Sequence, residues 1–242
     1  PEGGGGDTSS DSDGSAEEED GEVLLPSSSS AGTGVETVVE ESGNTVEVAD
    51  GALRNAVSLR VGKWVFSLGL PDNRHLTVQL ASDAAAGRPP RDLSAQLGIG
   101  NVIGGLVGFK KMNVNLFFRS ESRHVLHVWR SLKRWKVIDL HESLRLGAGD
   151  DAHSNIIADS KRTHIYVYFL CTKGHLHQFV WGMMSGWAHQ VLTLSRRAGY
   201  LAAPRSRIDF DGGPRRVRYN SCEGRVVHAW KSGIWGWKFG LQ

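Results

Sequence analysis

From about residue 51 onward, short apolar runs alternate with polar turns on a beat of 50 residues, and each period offers four runs in the same order. The first run is short and apolar (residues 57–59, 105–109, 154–158 and 206–210). The second is rich in aromatic and β-branched residues, as half- or fully buried strands are: KWVFSL at 63–68, VNLFFR at 114–119, HIYVYFL at 164–170 and RRVRYN at 215–220. A polar turn follows at 71–73, 121–123, 172–174 and 222–224. In three periods the third run then alternates towards a tryptophan (Trp129, Trp181, Trp230), and the fourth opens on or near a second one (Trp135, Trp187, Trp237). Leu76, Leu126, Leu176 and Val226 mark the period, and no segment sustains a helical one. Four short antiparallel strands per repeat predict an all-β fold, a β-propeller of about four blades at 51–100, 101–150, 151–200 and 201–242.

The first repeat is degenerate. It lacks both signature tryptophans, and its third-to-fourth connection swells into ASDAAAGRPP at 81–90. Ahead of the repeats, residues 1–46 form an acidic Gly/Ser-rich tail expected to be disordered, with the propeller domain at 47–242. Within that boundary region, Val alternates with Glu or Thr around Gly43-Asn44, which predicts a hairpin or edge strand over 35–50. The chain starts at Pro1, as a mature form or a fragment would.

Charge is split along the chain. Residues 1–50 hold 14 Asp and Glu and no Lys or Arg, whereas residues 51–242 hold all 28 basic side chains against 12 acidic ones, a net of +16. A basic domain of this kind favours anionic polymers, a protein partner, or its own acidic tail. Cys171 and Cys222 lie at nearly equivalent places in successive repeats, too far apart for a disulfide, and no CxxC metal spacing exists. No run of about 18 apolar residues occurs, so no membrane span is expected, and no basic–apolar leader is visible. Nothing in the sequence separates a secreted from a cytoplasmic location.

The order of a strand, a polar-Gly turn, a His-containing strand ending in Trp, and a (S)GW opening a fourth strand resembles the bacterial lectin-like β-propellers, the PLL-like group related in architecture to fucose-binding propeller lectins. The match is strongest at 174–192 (GHLHQFVWGMMSGWAHQVL) and 224–241, covers 105–242 well, and covers 51–104 weakly. The resemblance implies sugar sites built from aromatic and polar residues of neighbouring blades. Fucose-binding relatives also use an Arg/Glu pair on each blade. Here the third strands offer Val128, Gln178 and His228 where the carboxylate belongs, a departure that counts against fucose. Four repeats are fewer than the six or seven usual in such propellers, which points to a fragment, an assembly part or a closed four-bladed ring.

The candidate ligand-binding residues are Trp129, Trp135, Trp181, Trp187, Trp230 and Trp237, with His127, His177, His228 and Arg218. An indole face stacks on the C–H face of a sugar, but the same ring at a fixed blade position also fills the wedge between sheets. The histidines recur on the third strands, and His175 shares a face with His177, which is compatible with a metal. No further converging ligands are assignable, so no metal or cofactor is expected and the imidazoles are read as strand hydrogen-bonders or hydroxyl ligands. The segment GIGNVIGG at 98–105 has G-x-G-x-x-x-G spacing with no βαβ context, and is a flexible lead-in to the second repeat rather than a dinucleotide loop. Arg205, Arg207, Arg215, Arg216, Arg218 and Arg225 form a basic cluster suited to phosphate or sulfate, or to a solvated blade edge.

Few acids lie within the repeats, and no GxSxG, HExxH or oriented Cys/His dyad is present, so no enzyme is expected. Glycan binding by a non-catalytic, lectin-like propeller is the leading expectation. The alternatives are a protein- or polyanion-interaction propeller using its basic surface, and a scaffold propeller within a larger polypeptide.

Overall fold

Among the described residues, sixteen strands form four separate four-stranded sheets, and in each the chain meanders from one strand to its hydrogen-bonded antiparallel neighbour. The computed structural model describes residues 58–69, 74–194, 196, 198–232 and 236–242. The acidic tail at 1–46 and any contact it makes with the basic domain lie outside those residues, as do the hairpin expected at 35–50 and the turn at 71–73. Blade 1 comprises β1 (Ser58–Val61), β2 (Trp64–Leu68), β3 (Leu76–Leu80) and β4 (Arg91–Asp92). Blade 2 comprises β5 (Val102–Lys111), β6 (Asn113–Ser120), β7 (Val125–Ser131) and β8 (Arg134–Asp139). Blade 3 comprises β9 (Ile157–Lys161), β10 (His164–Leu170), β11 (Leu176–Gly182) and β12 (Gly186–Val191), and blade 4 comprises β13 (Ile208–Phe210), β14 (Arg216–Asn220), β15 (Val226–Lys231) and β16 (Trp237–Leu241). The first strands of successive blades pack together, β1 on β5, β5 on β9 and β9 on β13, so the sheets fan around their inner edges as in a β-propeller.

Three apolar cores fill the three junctions between blades. This explains why the second strands read differently along the chain. In β6 and β10 one side chain faces the blade before and the next faces the blade after. Phe118 lies in the first core and Phe117 in the second, while Phe169 lies in the second and Tyr168 in the third. Such strands need an unbroken apolar run. β14 alternates instead: Val217 and Tyr219 are buried against blade 3, while Arg216, Arg218 and Asn220 are exposed on the outward face. β1 alternates likewise, with Leu59 and Val61 inward and Ser58 and Arg60 exposed. Among the described residues the four blades therefore form an open fan with polar end faces, and β13 and β1 do not pack together as the other inner strands do. The closed four-bladed ring is not what these residues build.

One contact recurs at every junction. The fourth-strand tryptophan sets its ring edge-on against the aromatic residue in the middle of the preceding blade's second strand. Trp135 meets Phe66 at 5.6 Å, Trp187 meets Phe117 at 5.9 Å and Trp237 meets Tyr168 at 5.9 Å, with interplanar angles of 87°, 81° and 79°. Buried polar clamps add directionality. The Arg119 guanidinium donates from blade 2 to the carbonyls of His153 (2.7 Å) and Ser154 (2.9 Å). The Asn155 amide exchanges two hydrogen bonds with the backbone of Ile208 in blade 4 (2.8 and 3.0 Å).

The segment at 98–105 differs from the expected flexible lead-in, because β5 already runs from Val102, with register shifts at Gly104. A Cβ at Gly105, whose φ is +70°, would lie 3.2 Å from the Ile156 side chain, so this glycine serves close packing between blades. Among the described residues, three short α-helices also escape the periodicity: α1 (Ala81–Ala85), α2 (Leu93–Leu97) and α3 (Leu140–Ser143). At four or five residues each they are too short to leave an amphipathic signature. The last two start at carboxylate caps, with Asp92 accepting from Ala95 N (2.8 Å) and Asp139 from His141 N (2.8 Å). No helix among the described residues is long and apolar enough to cross a membrane.

Truncating a wedge aromatic should cost far more than truncating an end-face residue. Phe66→Ala, at a fully buried site, is expected to lower stability by about 3–5 kcal/mol. Arg218→Ala should stay within about 0.5 kcal/mol. Denaturant unfolding of the two variants checks both.

Candidate functional site

Strand register sorts the sequence-predicted residues by the face on which each lies. His127 pairs with Phe117, Gln178 with Tyr168 and His228 with Arg218, so these three third-strand positions are equivalent. His177 pairs with Phe169 and lies on the opposite face of its sheet. The tryptophans divide in the same way. Trp187 pairs with Trp181, whereas Trp135 pairs with Arg130 and Trp237 with Lys231. Trp181 therefore occupies the place of Arg130 and Lys231, one residue out of step with Trp129 and Trp230. Constant spacing had grouped residues that the pleat sends to opposite faces.

This offset makes one cleft. Blade 2 turns His127 and Trp129 towards blade 3, and blade 3 turns Trp181 and Trp187 back towards blade 2. Together they line a cavity of about 300 Å³ at the end of the sheets that carries the β5–β6 and β9–β10 turns. Lys111, Asn113 and Thr163 supply its polar rim and Ile165 part of its floor. Trp181 and Trp187 also pack on the junction core, as the wedge requires. Trp129 does not belong to that cluster; its ring stacks on His127 at 4.8 Å. Exposed apolar side chains gather at the same end, in the strand-connecting turns: Met112 is 74% exposed, Leu132 93% and Met184 96%.

The hydrogen bonding of His127 sets what it can offer. The Asn115 amide nitrogen donates to the carbonyls of Asn113 (2.8 Å) and Lys111 (3.3 Å), which orients its oxygen towards His127 Nε2 at 3.0 Å. Nε2 must then carry the proton and donate, leaving Nδ1 as a lone-pair acceptor, buried and without a partner. The ring is clamped between Phe117 (4.5 Å) and Trp129, and burial lowers its pKa from 6.5 to about 3, so it stays neutral. Asn115 was missed in the sequence. Its signal was a single polar residue inside the otherwise apolar run VNLFFR.

The other candidates lie elsewhere. Trp135 sits in the blade 1–2 junction against Trp64 (5.6 Å) and Phe66, where the Arg130 guanidinium covers Trp64 at 4.6 Å. Trp237 is buried in the blade 3–4 core. His177 is fully buried, with Nδ1 hydrogen-bonded to His189 Nε2 at 2.9 Å. His228 bonds Asp211 Oδ2 and Gln242 Oε1, both at 3.0 Å, and with exposed Arg218 lies on the outward face of blade 4. Trp230 borders a second cavity of about 390 Å³ with Lys161, Arg215, Arg216 and Lys231, at the end of blade 4 that carries the β13–β14 turn.

No protein-family model matches the chain, and no curated protein matches it. Among solved structures it is similar to a triple arginine-to-alanine mutant of AofleA from Arthrobotrys oligospora, at 14% identity and a TM-score of 0.48, covering 78% of this chain and 57% of that one. It is similar to the fucose-specific lectin from Aleuria aurantia at 15% identity and a TM-score of 0.46, covering 74% and 55%. For AofleA itself the figures are 17%, 0.39, 53% and 37%. The chain thus spans between 37% and 57% of the length of these three. These neighbours are fungal and lend nothing to the bacterial side of the sequence resemblance. The propeller assignment rests on the four fanned sheets and not on these likenesses.

Burial holds His177 at about 3 and His141 at about 4 as well. All three imidazoles are neutral in the fold and take up protons below 6.5 once unfolded. Stability should therefore be level above that pH and fall steadily as pH drops towards 3. Denaturant unfolding across that range should show a shallower slope in His127→Gln.

Proposed function

We propose that this chain is a non-catalytic carbohydrate-binding propeller whose ligand occupies the cleft between blades 2 and 3. The observation that carries the proposal is the convergence of Trp129, Trp181, Trp187 and His127 from two blades, with one indole left out of the core. A sugar ring offers both halves of the required complement. Its C–H face stacks on an indole, while Asn113, Thr163 and Lys111 meet its hydroxyls. The volume lies at the lower end of ligand cavities, suited to one sugar residue rather than an extended chain. Supporting a non-catalytic role, the residues lining the cleft include no carboxylate, let alone the pair that glycoside hydrolysis uses.

A second reading draws on the cavity at the β13–β14 end of blade 4. Lys161, Arg215, Arg216 and Lys231 converge there beside Trp230, a composition fitted to a sulfated or carboxylated polymer. Arg215 is held in place by donating to Tyr166 Oη (2.9 Å).

A glycan array at physiological salt tests the leading proposal, and silence across neutral and charged sugars would count against it. For any sugar bound, Trp129→Ala should weaken affinity roughly tenfold or more, the equivalent of about 1.4 kcal/mol of stacking, with little change in unfolding. Retention on heparin that collapses with added salt and is lost in a Lys161→Ala/Lys231→Ala double variant would favour the polyanion reading.

A further inference from the structure

At the opposite end of blade 3 from the aromatic cleft, three side chains of metal-ligating type converge with no role in carbohydrate binding. Asp150 lies in the connection between blades 2 and 3, Cys171 directly follows β10, and His177 lies near the start of β11. Their ligand atoms lie within 4.8 Å of one another. Cys171 and His177 are buried, and Asp150 is half-buried.

The decisive feature is the state of His177. The residue is wholly buried, its Nδ1 is engaged by His189, and its Nε2 has no hydrogen-bond partner. A buried nitrogen left unmet destabilises the fold unless something else satisfies it. Register sets the sheet face from which the side chain projects. Phe169 pairs with His177, so Cys171, two residues beyond Phe169, projects from the same sheet face as a diagonal neighbour of His177.

The surroundings are preorganised. The loop carrying Asp150 is tied to the β10–β11 turn by Thr172 Oγ1 donating to Gly149 O (3.0 Å) and Lys173 Nζ donating to Ala148 O (2.9 Å). His141 Nε2 lies 3.3 Å from the carbonyl oxygen of Asp150 and anchors the same loop. Lys173 Nζ stands 3.6 Å from Asp150 Oδ1, leaving Oδ2 for another partner.

We infer that Asp150, Cys171 and His177 form a site for a divalent transition ion of the zinc class. A mixed O/S/N donor set matches such an ion, which takes three protein ligands and leaves a fourth position to solvent. Tetrahedral bonding needs ligand atoms about 3.3–3.6 Å apart, so a contraction of roughly 1 Å by side-chain adjustment suffices. With the ion on Nε2, the proton of His177 resides on Nδ1 and donates to His189 Nε2, the outer hydrogen bond that orients metal-bound imidazoles. The thiol gives up its proton to solvent on binding. A second group, His124, Asp139 and Glu142, lacks this character. Its Asp139 already accepts from His124 Nδ1 (2.7 Å) and caps α3, and no orphaned atom faces it.

Cobalt(II) titration of the chelator-stripped full chain tests the site. The expected result is one equivalent bound with a thiolate-to-cobalt charge-transfer band, retained in Cys222→Ser and lost in Cys171→Ser. Asp150→Asn, a change on a surface loop that serves should Cys171→Ser fail to fold, is expected to weaken cobalt binding at least tenfold. No charge-transfer band with excess cobalt, a band that survives Cys171→Ser, or wild-type affinity in Asp150→Asn would each overturn the proposal.

Discussion

The fan depends on an edge-on contact between a fourth-strand tryptophan and the aromatic residue at the centre of the preceding blade's second strand. It appears three times, as Trp135 on Phe66, Trp187 on Phe117 and Trp237 on Tyr168, with nearly constant spacing and angle. A ring edge carries partial positive charge and a ring face partial negative charge, so a T-shaped pair fixes orientation as well as distance. An aliphatic contact of equal area would hold the sheets together without setting their angle. Regular sheets supply the backbone hydrogen bonds; the indoles set how each blade meets the next.

Because the wedge is constant, the junctions differ in what lies beside it. The position opposite the wedge tryptophan is Arg130 in blade 2, Trp181 in blade 3 and Lys231 in blade 4. At the first junction the guanidinium lies over Trp64 and occupies the space. At the second, an indole leaves an aromatic-walled cleft, and at the third the Lys231 ammonium group borders a basic cavity at the turn end of blade 4. One strand position thus changes character from junction to junction. The fold offers a repeated geometry, and single side chains decide whether it is filled, apolar or charged.

Much of this architecture was legible in the residues because propeller strands are short and their runs recur in order. HIYVYFL, VNLFFR and RRVRYN all announce strands, and the structure buries the first two on both faces and the third on one. What periodicity could not supply was register. His127 and His177 share a spacing, yet a one-residue offset sends the first into the cleft and the second into the opposite face of its sheet. Trp129 and Trp181 are offset in the same way, and that offset is why they face each other across a junction. The Asp150–Cys171–His177 cluster was hidden for a different reason. Its members come from a connection, a strand end and a strand, and only the folded chain brings them together.

The most direct measurement of the central claim is a double-mutant cycle on Phe117 and Trp187, each changed to Leu singly and together, read by equilibrium unfolding. If the wedge is the specific ring contact described, the pair should show a coupling energy of about 0.5–1.5 kcal/mol. Strict additivity of the two substitutions would contradict it, and would mean that the blades are held by buried area alone.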